Sequence, residues 1–225
     1  GSGGSSVAAG DLDGDSLEEL VVGQMNGTGA TTLFQILDLH EVAGRITVLR
    51  RTEPIEAMPV SYHGLGGVNL TTGDVDGDGQ VEIIAANAGY PRGEDYSQNG
   101  NMVRVFDILV GKDGAVSYAV ALTNPFQVFN SEENPSGGVD IAAGNLDGDA
   151  ADEILVSTQA VIELDRDTGA VRFSHAAQKS VVKGLNLEFD ANAEFERFSP
   201  AMSRFQPFDG QFAPSSGAVN LEFWK

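Results

Sequence analysis

One acidic stretch occurs three times in this chain, and it limits the possible folds more than any other feature. It spans residues 10–20, 73–83 and 144–154, and its second copy reads Gly-Asp-Val-Asp-Gly-Asp-Gly-Gln-Val-Glu-Ile. Each copy places at least three carboxylates within nine residues, where they repel one another unless a cation lies among their oxygens. Ligand sets made only of oxygen are typical of calcium. The chain is therefore expected to fold around three cation-binding loops.

The spacing of the polar residues predicts which atoms would hold calcium. Counted from residue 11, 74 or 145, positions 1, 3 and 5 carry Asp or Asn, position 4 is a Gly that permits a tight bend, and position 9 is Glu. The backbone carbonyl at position 7 can supply a further oxygen. The predicted ligands of the three calcium sites are Asp11, Asp13, Asp15, Leu17 and Glu19; Asp74, Asp76, Asp78, Gln80 and Glu82; and Asn145, Asp147, Asp149, Ala151 and Glu153. Because Asn145 replaces a charged ligand, the third site is expected to be the weakest.

The loops differ from the calcium loop of a helix-loop-helix hand. That loop ends on a bidentate Glu at position 12, whereas position 12 here is Val22, Ala85 or Val156. The flanking segments, such as 68–72 and 81–85, are short and rich in β-branched and aliphatic residues, as strands are. Each loop is therefore predicted to be a turn between two strands.

A unit of about 60 to 70 residues recurs with the loops, which suits four antiparallel strands and is too long for one coil of a solenoid. The predicted strands are 5–9, 19–24, 31–39 and 45–51 in the first unit, 67–72, 81–87, 102–110 and 116–122 in the second, and 138–143, 153–158, 160–165 and 170–175 in the third. The predicted divisions are a linker or terminus at 1–6, units at 7–66, 67–137 and 138–177, and a last segment at 178–225.

The three loops and their flanking strands resemble FG-GAP repeats, also known as integrin α-subunit-like or VCBS-type repeats. The resemblance covers most of residues 4–177. It implies an all-β fold of β-propeller blades, each with four antiparallel strands and a calcium loop between its first and second strands. It also implies the metal ligands named above, and a role in adhesion or in the recognition of protein or carbohydrate.

Residues 178–225 allow several interpretations. Three blades are too few for a closed propeller, which usually has four to eight. Either the segment completes a small closing blade, or the chain is part of a longer one, or chains associate. In the last case the strand predicted at 217–224 would add to the sheet of a neighbouring chain, because an unpaired edge strand exposes free backbone groups.

The composition narrows the class of protein. With 41% hydrophobic and 20% charged residues among 225, the chain has the make-up of a globular protein. Nucleic acid is not expected as a partner, because a net charge of −20 leaves nothing to neutralise phosphates. No Cys is present and no apolar run has the length of a membrane span. Because modest-affinity loops stay filled only where calcium is plentiful, an extracellular or cell-surface location is expected.

Recognition is expected on the face opposite the acidic loops. Long connections on a rigid scaffold usually carry binding residues, and the connections 51–66 and 89–101 lie at that end of the predicted blades. The residues predicted to contact a protein or carbohydrate partner there are Tyr62, His63, Tyr90, Arg92 and Tyr96.

Catalysis is not expected from this sequence, and no catalytic or organic-cofactor residue is predicted. The three His are far apart in the chain, Cys is absent, and neither Gly-x-Ser-x-Gly nor His-Glu-x-x-His occurs. Two other classes stay open: the scaffold of an extracellular polysaccharide-acting enzyme, and a fibre or matrix subunit joined through terminal strands. A convergent cluster of Arg, Lys, His or Tyr opposite the loops would favour the enzyme.

Overall fold

The described part of the chain is made of strands and turns, which confirms the predicted all-β class. A computed structural model describes residues 4–25, 32–59, 67–88, 100–130, 132–134, 138–159, 162–164, 171–173, 181–190 and 194–205. None of these residues belongs to a helix that is long and apolar enough to cross a membrane. The strands are β1 (Gly4–Gly10), β2 (Glu19–Met25), β3 (Leu33–Val42), β4 (Arg45–Arg51), β5 (Ile55–Glu56), β6 (Val68–Gly73), β7 (Glu82–Asn87), β8 (Met102–Val110), β9 (Val116–Ala121), β10 (Phe126–Gln127), β11 (Val139–Gly144), β12 (Glu153–Thr158), β13 (Ile162–Leu164), β14 (Val171–Phe173), β15 (Val182–Phe189) and β16 (Phe195–Phe205).

Three antiparallel sheets begin in the same way, with two strands joined by an acidic loop. The first sheet contains β1 to β5, the second contains β6 to β10, and the third contains β11, β12, β15 and β16. The pair nearest the loop is Gly10–Glu19, Gly73–Glu82 or Gly144–Glu153. The register is thus the same in all three, and it presents the three loops in one geometry. The strands predicted for the first two units are confirmed to within three residues.

The outer strand of the first two sheets is interrupted, and a Thr fills the gap. In the first sheet β4 pairs with one half of β3 and β5 with the other. Between them the Thr52 Oγ1 accepts a hydrogen bond from the Ile36 N–H at 3.1 Å. Thr123 does the same for the Val105 N–H at 3.0 Å, between β9 and β10. The hydroxyl therefore satisfies a strand amide at the point where the ladder is broken.

The strand assignment predicted for the third unit is wrong in its second half. The segments predicted at 160–165 and 170–175 contain β13 and β14, but these two strands pair with each other in a separate hairpin. The third sheet instead takes β15 and β16 as its outer strands, from beyond residue 177. Two hydrogen bonds join the end of β12 to the residue before β15. The Val181 N–H donates to the Thr158 Oγ1, and the Thr158 N–H donates to the Val181 carbonyl, both at 3.1 Å. The predicted strand 217–224 lies outside the described residues.

The second sheet is packed between the other two. Aliphatic side chains from β2 and β3, such as Val21 and Ile36, form one buried cluster with the second sheet. Its opposite face forms another cluster with Ile154 and Val156 of the third sheet. All six residues of β7 are consequently buried. Burial at roughly 25 cal/mol per Å² of apolar surface makes these two clusters the main source of stability.

Candidate metal sites

The acidic loops are ordered by hydrogen bonds from their own backbone to their carboxylates. In the first loop Asp11 accepts from the Gly14 N–H at 2.9 Å and from the Ser16 N–H at 3.0 Å. Asp74 accepts in the same way from the N–H groups at positions 4 and 6 of the second loop, at 2.9 and 3.0 Å. The position-1 carboxylate therefore folds the loop around itself.

Positions 3 and 5 continue this pattern in every loop. In the second loop the Asp76 carboxylate accepts from the Asp78 N–H at 3.1 Å, and the Asp78 carboxylate accepts from the Gln80 N–H at 2.8 Å. The equivalent bonds are 3.3 and 2.7 Å in the first loop, and 3.0 and 2.9 Å in the third. Since each carboxylate is fixed to the residue two further on, their oxygens are held on one side of the turn.

A left-handed backbone is needed at position 4, which explains its Gly. Gly14, Gly77 and Gly148 have φ of 78°, 76° and 87°. At position 6 Gly79 has φ 90°, while Ser16 takes φ 73° despite its side chain, at a cost typical of non-Gly residues there.

The Glu at position 9 has a second role that the spacing does not reveal. Glu19, Glu82 and Glu153 are buried. One carboxylate oxygen of each accepts from the N–H at position 2, at 2.9, 2.8 and 2.5 Å. This bond joins the start of the loop to the strand that follows it. These residues were predicted as metal ligands, and the structure shows that they also close the loop by themselves.

The structure brings together three carboxylates of each predicted ligand set. Ligand atoms lie within 4.8 Å of one another in the groups Asp11, Asp13 and Asp15; Asp74, Asp76 and Glu82; and Asp147, Asp149 and Glu153. Glu19 and Asp78 do not belong to these groups. The position-7 carbonyls of Leu17, Gln80 and Ala151 stay predictions.

Burial and mutual repulsion disfavour the charged form of several loop acids. Burial raises the pKa of Glu82 to about 8, and the charges of Asp76 and Asp74 act in the same direction against the hydrogen bond from Val75. Burial likewise raises the pKa of Glu19 to about 7. The pKa values of Asp13 and Asp76 are also raised, first by burial and then by neighbouring carboxylates. A cation among these groups would remove the repulsion.

The residues present fit a calcium ion in their donor chemistry. All side-chain donors are carboxylate or amide oxygens, which hard cations prefer. Within the residues that the structure describes, the ion pairs are Arg50–Asp113, Lys183–Glu133 and Arg197–Glu188, and none includes a loop acid. The loop charges are thus not compensated by any Lys or Arg in the described part of the chain.

Sequence inspection missed a third-strand residue beside each loop. Leu37 pairs with Leu20, Phe106 with Ile83 and Leu185 with Ile154. The next residue is Asp38, Asp107 or Asn186, one residue beyond that pair on the third strand. Asp38 and Asp107 raise the pKa values of the loop acids, and the buried Asn186 Oδ1 has no hydrogen-bond partner. That these three residues lie near the loops follows only from the strand pairing, because they are far from the loops in sequence.

The second and third loops are joined directly. The Asp152 N–H donates to the Asp74 carbonyl at 2.6 Å, and the Asp74 N–H donates to the Asp152 carboxylate at 3.2 Å. These residues occupy position 1 of one loop and position 8 of the next. Adjacent loops therefore share a brace at the edge of the sheets.

The predicted partner-binding residues Tyr62, His63, Tyr90, Arg92 and Tyr96 all lie outside the described residues. Among the described residues, a cleft of about 660 Å³ lies between the second and third sheets, toward the end opposite the acidic loops. Its walls include Phe198 and Met202. The Lys183 ammonium at its base donates to Glu133 at 2.8 Å and lies 4.8 Å from the centre of the Phe129 ring. The cleft thus has apolar walls, a few polar groups and one internal Lys–Glu ion pair.

Comparison with known proteins identifies the first of the three units. No curated protein matches the chain in sequence. The family model described as FG-GAP repeat matches residues 3–49, which contain the first acidic loop and strands β1 to β4 up to residue 49. The match confirms the resemblance to FG-GAP repeats over residues 3–49, the opening segment of the chain.

Proposed function

We propose that this chain is a calcium-stabilised β-propeller module of a secreted or cell-surface protein, acting in adhesion or in the recognition of protein or carbohydrate. The observation that carries the proposal is the recurrence of one loop geometry three times, each with three carboxylates within 4.8 Å. Calcium-binding and extracellular location are both usual for FG-GAP repeats, which supports the same conclusion.

The role of calcium in this proposal is mechanical. The ion would be held by the side chains at positions 1, 3 and 5 and by the Glu at position 9, and it supplies positive charge among crowded carboxylates. The loop residues themselves fix the turn between the first two strands of each sheet. Binding to the folded chain alone stabilises it by mass action.

The recognition site would lie opposite the loops. The cleft between the second and third sheets is at that end, and its apolar walls with a few polar groups are typical of ligand sites. Lys183 and Glu133 already satisfy each other, which favours binding over chemistry there. In this proposal the three metal sites at the acidic edge have the structural role. The apolar cleft at the other end has the binding role.

Calorimetric titration of the metal-free protein with calcium tests the proposal. Three equivalents are expected to bind, with Kd on the order of 10⁻⁴ to 10⁻³ M as in extracellular modules. The matched control carries Asp13→Ala, Asp76→Ala and Asp147→Ala together, and should show no binding. A wild-type titration without calcium-dependent heat, repeated by equilibrium dialysis, would contradict the proposal.

A further inference from the structure

The three acidic loops differ at position 8, and this residue decides how one loop meets the next. It is Glu18 in the first loop, Val81 in the second and Asp152 in the third. The two hydrogen bonds between Asp152 and Asp74 join position 8 of the third loop to position 1 of the second. Val81 offers no acceptor at the equivalent place beside the first loop. The chain therefore contains one pair of loops braced by a position-8 carboxylate and one pair without that brace.

The braced loops also approach each other closely at their turns. A side-chain carbon placed on Gly77, at position 4 of the second loop, would lie 3.4 Å from both the backbone nitrogen and the side-chain carbon of Ala151. Gly14 has the same position in the first loop. In the described part of the chain, nothing beyond its two neighbours lies within 4 Å of a carbon placed there. The second loop thus rests on the third, whereas the turn of the first loop is open.

The contact between the first two sheets at this edge uses a strand residue. The Thr72 hydroxyl donates to the Ala9 carbonyl at 2.6 Å, and both residues lie in strands that precede the loops. The residue equivalent to Thr72 in the third sheet is Ala143, whose methyl group cannot donate. One interface is therefore held by a strand hydroxyl and the other by a loop carboxylate.

The brace lies between predicted ligands of both sites. Asp74 occupies position 1 of the second loop, and its carboxylate accepts from the N–H groups at positions 4 and 6. Its own N–H and carbonyl are bonded to Asp152, which stands between Ala151 and Glu153 at positions 7 and 9 of the third loop. A change in the order of the Asp74 backbone is therefore transmitted to the segment that carries two predicted ligands of the third site.

We propose that Asp152 couples the second and third metal sites, so that filling either site raises the affinity of the other, while the first site fills independently. This inference rests on the calcium-binding function proposed above. Ordering of Asp74 around an ion also fixes Asp152, and the third loop then loses less entropy when it binds. The coupling is reciprocal, because one coupling free energy links the two binding equilibria. Asp152 is a positioning residue in this arrangement and is not itself assigned as a ligand.

Calcium titration of the full chain, followed by nuclear magnetic resonance, tests the proposal. The position-4 amides of Gly14, Gly77 and Gly148 report on the three loops separately. Allosteric coupling of typical size changes affinity by about 5- to 150-fold. Asp76→Ala, which removes a carboxylate from the second site, should therefore raise the Kd of the third site by at least about five-fold.

The same variant carries its own control, because the Kd of the first site should not change. An unchanged Kd at the third site in the Asp76→Ala protein would overturn the proposal. A lower Kd there would overturn it as well, since it would mean that ions in the two sites repel each other more strongly than the brace links them.

Variants of the brace test whether Asp152 carries the coupling. Asp152→Ala removes the acceptor of the Asp74 N–H and should remove most of the effect of Asp76→Ala on the third site. Asp152→Asn keeps an oxygen at this place and should retain the effect. Glu18→Ala is the matched control, because Glu18 has position 8 in the first loop and is exposed, and it should leave all three titrations as in wild type. Full coupling in the Asp152→Ala protein would contradict the assignment of Asp152.

The titration also separates this proposal from the one on which it rests. Calcium that shifts none of the three loop signals would contradict the proposed calcium binding and the coupling together. Calcium that shifts all three signals, with a third-site Kd that is the same whether or not the second site is intact, would contradict the coupling alone.

Discussion

The second and third acidic loops share their spacing and their flanking strands, but they differ in how firmly they are held. Asp74 accepts two backbone hydrogen bonds, and Gly79 takes the left-handed conformation that the second of them requires. In the third loop Asn145 has one side-chain oxygen, which accepts from the Gly148 N–H at 2.6 Å, while its amide donates to the Asp149 carbonyl. The third loop thus replaces the bond from the position-6 N–H by a bond that the Asn145 amide donates to the Asp149 carbonyl, which leaves its position-6 N–H without the position-1 acceptor.

The position-7 residue increases this difference. The Gln80 side chain donates to the Ile108 carbonyl at 3.0 Å and to the Asp107 carboxylate at 3.3 Å, whereas Ala151 has no group to bond. A site whose ligands are fixed in advance loses less entropy when the ion binds. Equal spacing in sequence therefore does not imply equal affinity, and the second loop should bind calcium more tightly than the third.

Removal of calcium should have the largest effect. Each site filled at 100 times its Kd stabilises the folded chain by roughly 2.7 kcal/mol. EGTA should lower the Tm by several degrees or more, with faster amide exchange in all three loops, and the second loop should be the first protected as calcium is returned. The Tm is measured by differential scanning calorimetry, and magnesium at the same concentration serves as the control. An unchanged melt in EGTA would mean that the loops are stable without metal.

Asp76→Ala should reduce stability more than Asn145→Ala when calcium is present. Asp76 is a charged member of the tightest predicted site, so its loss should remove most of the roughly 2.7 kcal/mol contributed there. Asn145→Ala should cost about 1 kcal/mol, since a neutral ligand and its hydrogen bond are lost. Urea unfolding in calcium measures both values, and repetition in EGTA should remove most of the difference. Equal losses for the two variants would refute the ranking of the loops.

The pH dependence of stability should differ between the metal-free and calcium-bound states. The pKa of Glu82 is about 8 when folded, against about 4.5 in an unfolded chain. Between these values the unfolded chain releases a proton that the folded chain retains, so the free energy of unfolding in EGTA should fall as pH rises from about 5 to about 8. Calcium should flatten this slope because it compensates the charge.

Two variants check the assignment of that slope. Glu82→Gln should reduce it in EGTA, because Gln has no proton to lose and can still accept from the Val75 N–H. Glu132→Gln, on an exposed residue, should leave it unchanged. Urea unfolding at several pH values supplies the data, and a metal-free slope of opposite sign would contradict the proposed cause.

Gln80→Ala should have the smallest effect. It removes two hydrogen bonds that fix the second loop to β8, worth about 1 kcal/mol, and should lower calcium affinity there by a few-fold. Leu17→Ala is the matched control, because Leu17 has the same loop position and an exposed side chain. Calorimetric titration of both variants gives the comparison. A Gln80→Ala protein that binds calcium as tightly as wild type would show that the anchor does not order the site.

The local features of the fold were predictable from sequence, and the long-range pairings were not. The loops and the strands on either side of them follow from residue spacing, because Gly at position 4 and aliphatic runs act over a few residues. The segment 160–165 was correctly expected to contain a strand, but sequence does not state which strand it pairs with. The Thr158–Val181 contact, which decides the third sheet, joins residues 23 apart.

The same limit applies to the candidate site. The carboxylates of each loop could be named because their chemistry is contained in nine residues. Asp38 and Asp107 could not, since they reach the loops only through strand pairing. The hydrogen bond from the Val75 N–H to the Glu82 carboxylate was also missed, because a Glu at that position is equally expected as a metal ligand. Calcium itself stays a prediction until it is measured.

The paired hydrogen bonds between Thr158 and Val181 also make the third sheet tolerant of insertions. They hold together Thr158 and Val181, the two points at which the chain leaves and re-enters the third sheet. The segment between these two residues therefore need not have a fixed length. Doubling the length of a flexible connection costs only about 0.6 kcal/mol in closure entropy. This point in the chain is therefore where a foreign peptide or a whole domain could be grafted without disturbing the neighbouring strands.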